Sequence, residues 1–442
     1  MYSAEIEKAI RSAGAKAGDM IRITEGDETF EGILIPRSEA GDPAALILKL
    51  QNGYNIGIKF SGSMKIERIK PGSSFSFPKS ALRFSGHEKI GLIYTGGTIG
   101  SKVDYTTGGV HMATKPEELL YEIPELSVIA DIKVNNLMSI ASDDMTYKEW
   151  QMIANAVKDA FADGARGVII THGTDTMHYT SAALSFMLTN LPGPVILTGA
   201  QRSPDRGSSD AFMNLICASH FSTKGLAAEV SICMHMGTSD DYCTIIRGTR
   251  ARKMHTSRRD AFKDVGGGTI ADVRIDGEID YIGRYQGASE AKLELRTKFE
   301  PKVALVKIYP NSDPDILKYY SEKGYKGIIL EATGLGHLPV STVHKEFNWL
   351  QAVNEAVDKG MVIGVSSQCI YGRVNPRVYK NARMLNDAGV IYCEDMMPEV
   401  AYVKLGFLLG NYKPDKSAEM LCKNIAGEIT ERSEIRLGSD AR

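Results

Sequence analysis

No apolar run reaches the length needed to cross a bilayer, about 18 residues, and the opening stretch Met1–Phe30 holds no signal-peptide core. A membrane partner is therefore not expected, and the expectation is a cytoplasmic protein. Cysteine is scarce and scattered, at Cys217, Cys233, Cys243, Cys369, Cys393 and Cys422, with no CxxC spacing. His172 and His178 form no HExxH pattern, so neither structural zinc nor a disulfide framework is expected, and no metal site is assigned. A phosphate-binding GxxxxGK[ST] is missing as well. Charge of one sign is also missing: the net charge is −2, which gives no whole-protein basic field for nucleic acid.

What is present is an ordinary globular composition, 43% hydrophobic and 24% charged over 442 residues, enough for two or three domains. From Gly18 to Ile69, short apolar runs alternate with EGDE, GDP, QNG and SGS, the pattern of a small antiparallel barrel or sandwich. Pro71–Ser85, PGSSFSFPKSALRFS, is rich in serine and proline and reads as a linker. After Gly86 the runs KIGLIY, RGVIIT, GPVILT, EVSICM, KVALVKIY, KGIILEA and MVIGVS alternate with helical stretches. One of these, Tyr147–Ala162, places Trp150, Ile153, Val157, Ala160 and Phe161 at helical spacing as a buried face. The alternation predicts an α/β fold with a largely parallel sheet. RTKFEPK, Arg296–Lys302, is the expected hinge between two α/β halves. The expected units are a small β-barrel-like domain at 1–70, a linker at 71–87, an α/β domain at 88–295 and a smaller α/β domain at 296–442.

In such sheets, ligand groups gather at the carboxyl ends of strands. Two strand ends carry the same signal: TGGT follows KIGLIY, and THGTDTM follows RGVII, each placing a threonine after glycine. Gly96, Gly97 and Gly173 permit backbone angles closed to other residues and bare amide N–H groups for an oxyanion. A lone TGGT is more often a simple turn. A catalytic threonine needs a base, and Asp175 with Lys253 could supply one. Lys253 lies in DDYCTIIRGTRARKMHTSRRDAF, Asp240–Phe262, which reads alternatively as a solvated basic face or as an RNA-binding patch, with six Lys or Arg between Arg247 and Arg259.

TGGTIG at 95–100, SDDM at 142–145, THGTDTM at 171–177, TGAQRSPDRGSSDAFMN at 198–214 and the Lys253 loop ending in DAF resemble, in order and spacing, the motif set of the L-asparaginase/glutaminase family. Within that family the chain is most similar to the branch formed by the glutaminase components of archaeal glutamyl-tRNA(Gln) amidotransferases, their D subunits. The extra N-terminal β segment points there, together with ATGLGHLP (Ala332–Pro339) and SSQCIYGRVN (Ser366–Asn375).

The resemblance implies a two-domain asparaginase-like α/β core behind a small N-terminal β-barrel domain. It implies Thr98 as nucleophile, with Thr174, Asp175 and Lys253 as the second catalytic set. Tyr105 would lie in a mobile flap, and Ser142 with Asp143 would grip the α-carboxylate and α-amino group of glutamine. No cofactor is implied in this chain; ATP and Mg would serve a partner E subunit, through which tRNA(Gln) would mainly be bound. A homodimer within a heterotetramer is expected. Two departures, Asp143 where many free asparaginases have an amide and His337 where many have an asparagine, speak against simple asparagine hydrolysis. Three readings therefore compete: a glutaminase subunit, a stand-alone L-asparaginase, and a non-catalytic RNA- or partner-binding protein.

Overall fold

The expected antiparallel unit at the N-terminus is a five-stranded sheet in the order Asn55–Lys59, Ala45–Lys49, Glu28–Leu34, Met20–Glu25, Lys65–Lys70. A helix outside that expected pattern, Ala4–Ser12, covers it. Ser3 caps the helix by accepting from the Ile6 amide, and Ile6 and Ile10 pack on Ile21, Ile23, Leu34, Leu46 and Leu48. The computed structural model describes residues 2–16, 18–34, 44–49, 55–71, 87–100, 102–103, 110–111, 123, 125–204 and 209–432. Residues 72–85 of the serine- and proline-rich segment, and Tyr105, expected in a flap, lie outside the described residues.

Each apolar run singled out after Gly86 is a strand. The larger sheet has eight strands in the order Ile279–Tyr281, Thr269–Arg274, Tyr242–Arg247, Val230–His235, Val195–Thr198, Gly167–Thr171, Lys89–Gly96, Asp131–Ile140. The last five are mutually parallel, and the first three extend the sheet antiparallel. Side chains alternate between the two faces. Ile90, Leu92, Ile169 and Ile196 pack under helix Ala211–Lys224, whereas Ile93, Val168, Ile170 and Leu197 face helices Tyr147–Ala162 and Met177–Met187. Burial on both faces is why these strands read as unbroken apolar runs.

The smaller sheet is fully parallel, in the order Val303–Lys307, Gly327–Ala332, Val362–Ser367, Ile391–Tyr392. Helix Pro398–Asn411 lies against the smaller sheet and against helix Met177–Met187, with Phe407 stacked on Phe186 at 6.0 Å. One apolar cluster therefore runs through both halves.

Helix Tyr147–Ala162 starts at a capping box, Thr146 with Glu149. Trp150, Ile153 and Val157 are buried as expected, with Ala160 and Phe161 half-buried. The Arg296–Lys302 connection joins the halves but is pinned at several points. Gln151 donates to the Thr297 carbonyl at 2.7 Å and Asn411 to that of Lys298 at 2.8 Å. Phe299 lies within 5.5 Å of the Trp150 ring and 5.7 Å of the Tyr147 ring. A Cβ at Gly406 would fall 2.1 Å from the Phe299 ring, and one at Gly410 2.6 Å from the Phe299 nitrogen. The Phe299→Ala variant should lose about 3–5 kcal/mol of stability, the usual cost of emptying a buried phenylalanine site. Urea unfolding followed by tryptophan fluorescence checks this, since Trp150 reports on the contact.

Candidate active site

Four adjacent parallel strands deliver four motifs to one edge of the larger sheet. Asp131–Ile140 runs into Ser142–Asp144, Lys89–Gly96 into Thr98, Gly167–Thr171 into Thr174, and Val195–Thr198 into Gly199–Gln201. After Lys89–Gly96 the chain first crosses to one neighbour, Asp131–Ile140, and then to the other, Gly167–Thr171, so a topological switch point lies between the TGGT and THGT ends.

Glycine is required where these ends meet. Gly97 has φ +84°, and a Cβ there would lie 2.5 Å from the Gly173 nitrogen and 2.7 Å from its Cα. A Cβ at Gly173 would lie 2.7 Å from Ser142 Cβ, and one at Gly199 would lie 2.5 Å from the His172 carbonyl oxygen. The four turns are thus in backbone contact, and no side chain fits between them. Thr95 ties the first two by donating to the Thr171 carbonyl at 2.7 Å, and Thr176 ties the third by donating to the Ser142 carbonyl at 2.6 Å.

Lys253 reaches this edge from the short strand Ala251–Lys253. Its Nζ donates to Thr174 Oγ1 at 2.8 Å and to Asp175 Oδ1 at 2.7 Å. The lysine side chain is 10% exposed and Asp175 69% exposed, so the run of contacts from Thr174 through Lys253 to Asp175 leads from the buried interior to the surface. Thr98, in a one-turn 3-10 helix, is half-buried. Among the described residues no hydrogen bond occupies its hydroxyl, and none uses the amide N–H of Thr174. Ser142 is buried against Gly173, whereas Asp143 is exposed and no hydrogen bond among the described residues ties it to the threonines. His337 lies beyond the smaller sheet, with its ring edge-on to Tyr379 at 4.9 Å.

The loop that reads as a solvated basic face is neutralised residue by residue. Arg247 pairs with Glu229 at 2.6 Å, Arg250 with Asp395 at 2.9 Å, Arg252 with Glu399 at 3.4 Å, Arg258 with Asp260 at 2.5 Å and Arg259 with Asp240 at 2.6 Å. With Lys253 on Asp175, all six cations have a carboxylate partner, which removes the free charge that an RNA patch needs. Alternation along the strand sends Arg252 toward Glu399 of the smaller domain while Lys253 points to Thr174. Burial raises the Glu399 carboxyl, with the Arg252 cation opposing.

Two further sets of residues, not singled out by chemistry in the sequence, shape the site. Asp210 is fully buried and accepts the amides of Gln201 and Arg202 at 3.0 Å, while Asn214 donates to the Gly199 carbonyl at 2.9 Å, so both hold the TGAQ turn. His172 and His178 are buried, and burial holds each imidazole down at about 4; for His178 the Arg252 and Lys253 charges act in the same direction. Both rings are neutral at pH 7. The only sequence signal for them was their position beside Thr174. Among the described residues, no group of three or more His, Cys, Asp or Glu side chains is arranged to hold a metal.

Residues 89–285 match the family model described as Asparaginase, N-terminal, and residues 302–421 match the Glutaminase/Asparaginase C-terminal domain. Residues 15–69 match the GatD N-terminal domain. The chain is 46% identical to a protein of Thermococcus kodakarensis named as the D subunit of glutamyl-tRNA(Gln) amidotransferase, over 96% of this chain and 97% of that one. It is 43% identical to the protein of the same name from Methanothermobacter thermautotrophicus, over 98% of each. Among solved structures, the thermostable L-asparaginase from Thermococcus kodakarensis matches with a TM-score of 0.68 at 31% identity, over 78% of this chain and 100% of that one.

The glycine contact generates a controlled test. Gly164 has the same φ as Gly97, +84°, but a Cβ there meets nothing within 4 Å. Both alanine variants place a side chain at a left-handed φ, and Gly97→Ala alone adds the collision with the Gly173 turn. Gly97→Ala should lose ammonia release from glutamine, and Gly164→Ala should keep it, as read by a coupled glutamate dehydrogenase assay.

Proposed function

The chain belongs to the family of glutamyl-tRNA(Gln) amidotransferase D subunits, built on the asparaginase/glutaminase fold, and from that premise we propose that it hydrolyses glutamine to supply ammonia for the conversion of Glu-tRNA(Gln) to Gln-tRNA(Gln). The observation that carries this reading is the Lys253 Nζ within 2.8 Å of Thr174 and 2.7 Å of Asp175, in a turn that touches the TGGT turn. The Thr98 hydroxyl attacks the side-chain amide carbon of glutamine. Amide N–H groups of the two glycine turns stabilise the oxyanion. Thr174, Asp175 and Lys253 relay the proton that lets ammonia leave, and water then cleaves the γ-glutamyl ester to release glutamate and restore the Thr98 hydroxyl. Ser142 and Asp143 hold the α-carboxylate and α-amino group, and Tyr105 acts from the flap.

The product consumed downstream is ammonia. A partner E subunit uses it with ATP and Mg on glutamyl-tRNA, and tRNA(Gln) is bound mainly there. The chain works as a homodimer within a heterotetramer, in the cytoplasm. Its working units are 1–70, the linker 71–87, 88–295 and 296–442, the first serving as the added module. A stand-alone L-asparaginase is the second reading, favoured by the 31% identity to the Thermococcus kodakarensis asparaginase. The N-terminal unit and its match to the GatD N-terminal domain weigh against it.

Replacing Lys253 by Met should lower glutamine hydrolysis by about 10²–10⁴-fold, the range for removing a positioned acid–base group. Lys253→Arg should stay equally low, because a guanidinium keeps the charge but does not deprotonate; an active Arg variant would reduce Lys253 to an electrostatic role.

Hydrolysis by the isolated chain should be weak and should rise by at least about tenfold, equivalent to about 1.4 kcal/mol of conformational bias, when the E subunit and glutamyl-tRNA are added. Tyr105→Phe should blunt that rise. Vigorous asparagine hydrolysis by the isolated chain, indifferent to any partner, would move the assignment to the second reading.

A further inference from the structure

His172 precedes the turn that carries Thr174, and no role in the chemistry above falls to it. Its ring is fully buried and both nitrogens are engaged. Nδ1 lies 2.6 Å from the Gly173 carbonyl oxygen, and Nε2 lies 2.8 Å from Thr180 Oγ1. The Trp150 indole N–H in turn donates to Thr180 Oγ1 at 3.0 Å.

These contacts fix every proton. A carbonyl oxygen only accepts, so Nδ1 carries the hydrogen. An indole nitrogen only donates, so Thr180 receives from Trp150, and its own hydrogen goes to Nε2, bare in the neutral ring and 2.8 Å away, in preference to Met145 Sδ, a weak acceptor at 3.9 Å. The hydrogen bonds therefore run in one direction, from Trp150 through Thr180 to His172, while the Nδ1–H donates to Gly173. Burial, which keeps the imidazole uncharged at pH 7, agrees with this assignment.

The Gly173–Thr174 peptide is trans, so its C=O and N–H point to opposite sides. With the carbonyl drawn to His172, the Thr174 amide N–H is turned away from the imidazole, and no acceptor among the described residues takes it up. We propose that His172 is a positioning residue for glutamine hydrolysis: through Trp150 and Thr180 it is held in one tautomer, and its Nδ1–H clamps the Gly173 carbonyl so that the Thr174 amide and hydroxyl are set for the reacting carbonyl. This proposal rests on the functional reading above and deepens it.

The test compares His172→Phe, which keeps the ring bulk but has no donor, with His172→Asn, whose side-chain amide nitrogen stands near the place of Nδ1. Glutamine turnover is measured in the complex with the E subunit and glutamyl-tRNA, alongside thermal unfolding. The Phe variant should lose on the order of 10²-fold in kcat, the scale of one misplaced oxyanion donor, with KM for glutamine near the wild-type value. The Asn variant should recover most of that loss. A merely structural role would lower stability in both without separating kcat from KM. A folded Phe variant with wild-type kcat overturns the proposal, as do Phe and Asn variants equally impaired. Should the Phe variant fail to fold, Thr180→Val decides: it leaves Nε2 without its donor, so a drop in kcat at unchanged KM is expected, and an unchanged kcat overturns the proposal. A wild-type complex that releases no ammonia from glutamine overturns the functional reading itself, whereas these variant outcomes in an active complex leave that reading standing.

Discussion

The contact between Gly97 and Gly173 is the constraint on which the site depends. Two strand ends approach so closely that a single methyl group on either turn would meet backbone or Ser142 atoms at 2.5–2.8 Å. That approach places Thr98 on one side of the switch point and the Thr174–Asp175–Lys253 set on the other. The TGGT turn of Thr98 carries no acid–base side chain, and Thr174 and Asp175 meet their lysine only because it arrives from a separate short strand. The chemistry is a property of the assembled edge and of no single motif.

Holding Lys253 at that edge is the task of the interface between the two halves. Arg250 is 1% exposed and Asp395 7%, and the Thr430 amide and the Arg250 guanidinium share the Asp395 carboxylate. Breaking one partner of such a buried pair costs about 3–5 kcal/mol, because the other charge is left uncompensated. Two residues along the same chain, Arg252 reaches Glu399 at the start of helix Pro398–Asn411. The smaller domain therefore contributes no atom to the threonine–lysine set yet fixes the strand from which the lysine extends.

The parallel strands were legible because both faces of each are buried, which turns a strand into an unbroken apolar run. Asp131–Ile140 was not legible: it is the sheet edge, and DIKVNNLMSI buries only Ile132 fully, mixes half-buried and exposed positions without a regular period, and has two asparagines at its centre. The glycines of TGGT and THGT could be recognised as turns, but their mutual contact spans 76 positions and leaves no trace in either motif. The same distance problem turned the Arg247–Arg259 loop into an apparent basic face. Sequence shows the six cations together, whereas the carboxylates on Arg250 and Arg252 lie near position 400. His172 escaped because a histidine that acts by holding a carbonyl looks no different in sequence from one filling the core.

The central claim, that a threonine hydroxyl at the fused glycine turns attacks glutamine, is tested most directly by trapping the ester. The complex is mixed with glutamine and glutamyl-tRNA, quenched in acid during turnover and digested with trypsin, and the fragments are read by mass spectrometry. The account predicts a γ-glutamyl group on the peptide Ile90–Lys102, located at Thr98. A γ-glutamyl group carried by a cysteine or by any residue outside the two glycine turns would contradict it, as would ammonia release with no covalent adduct on the chain.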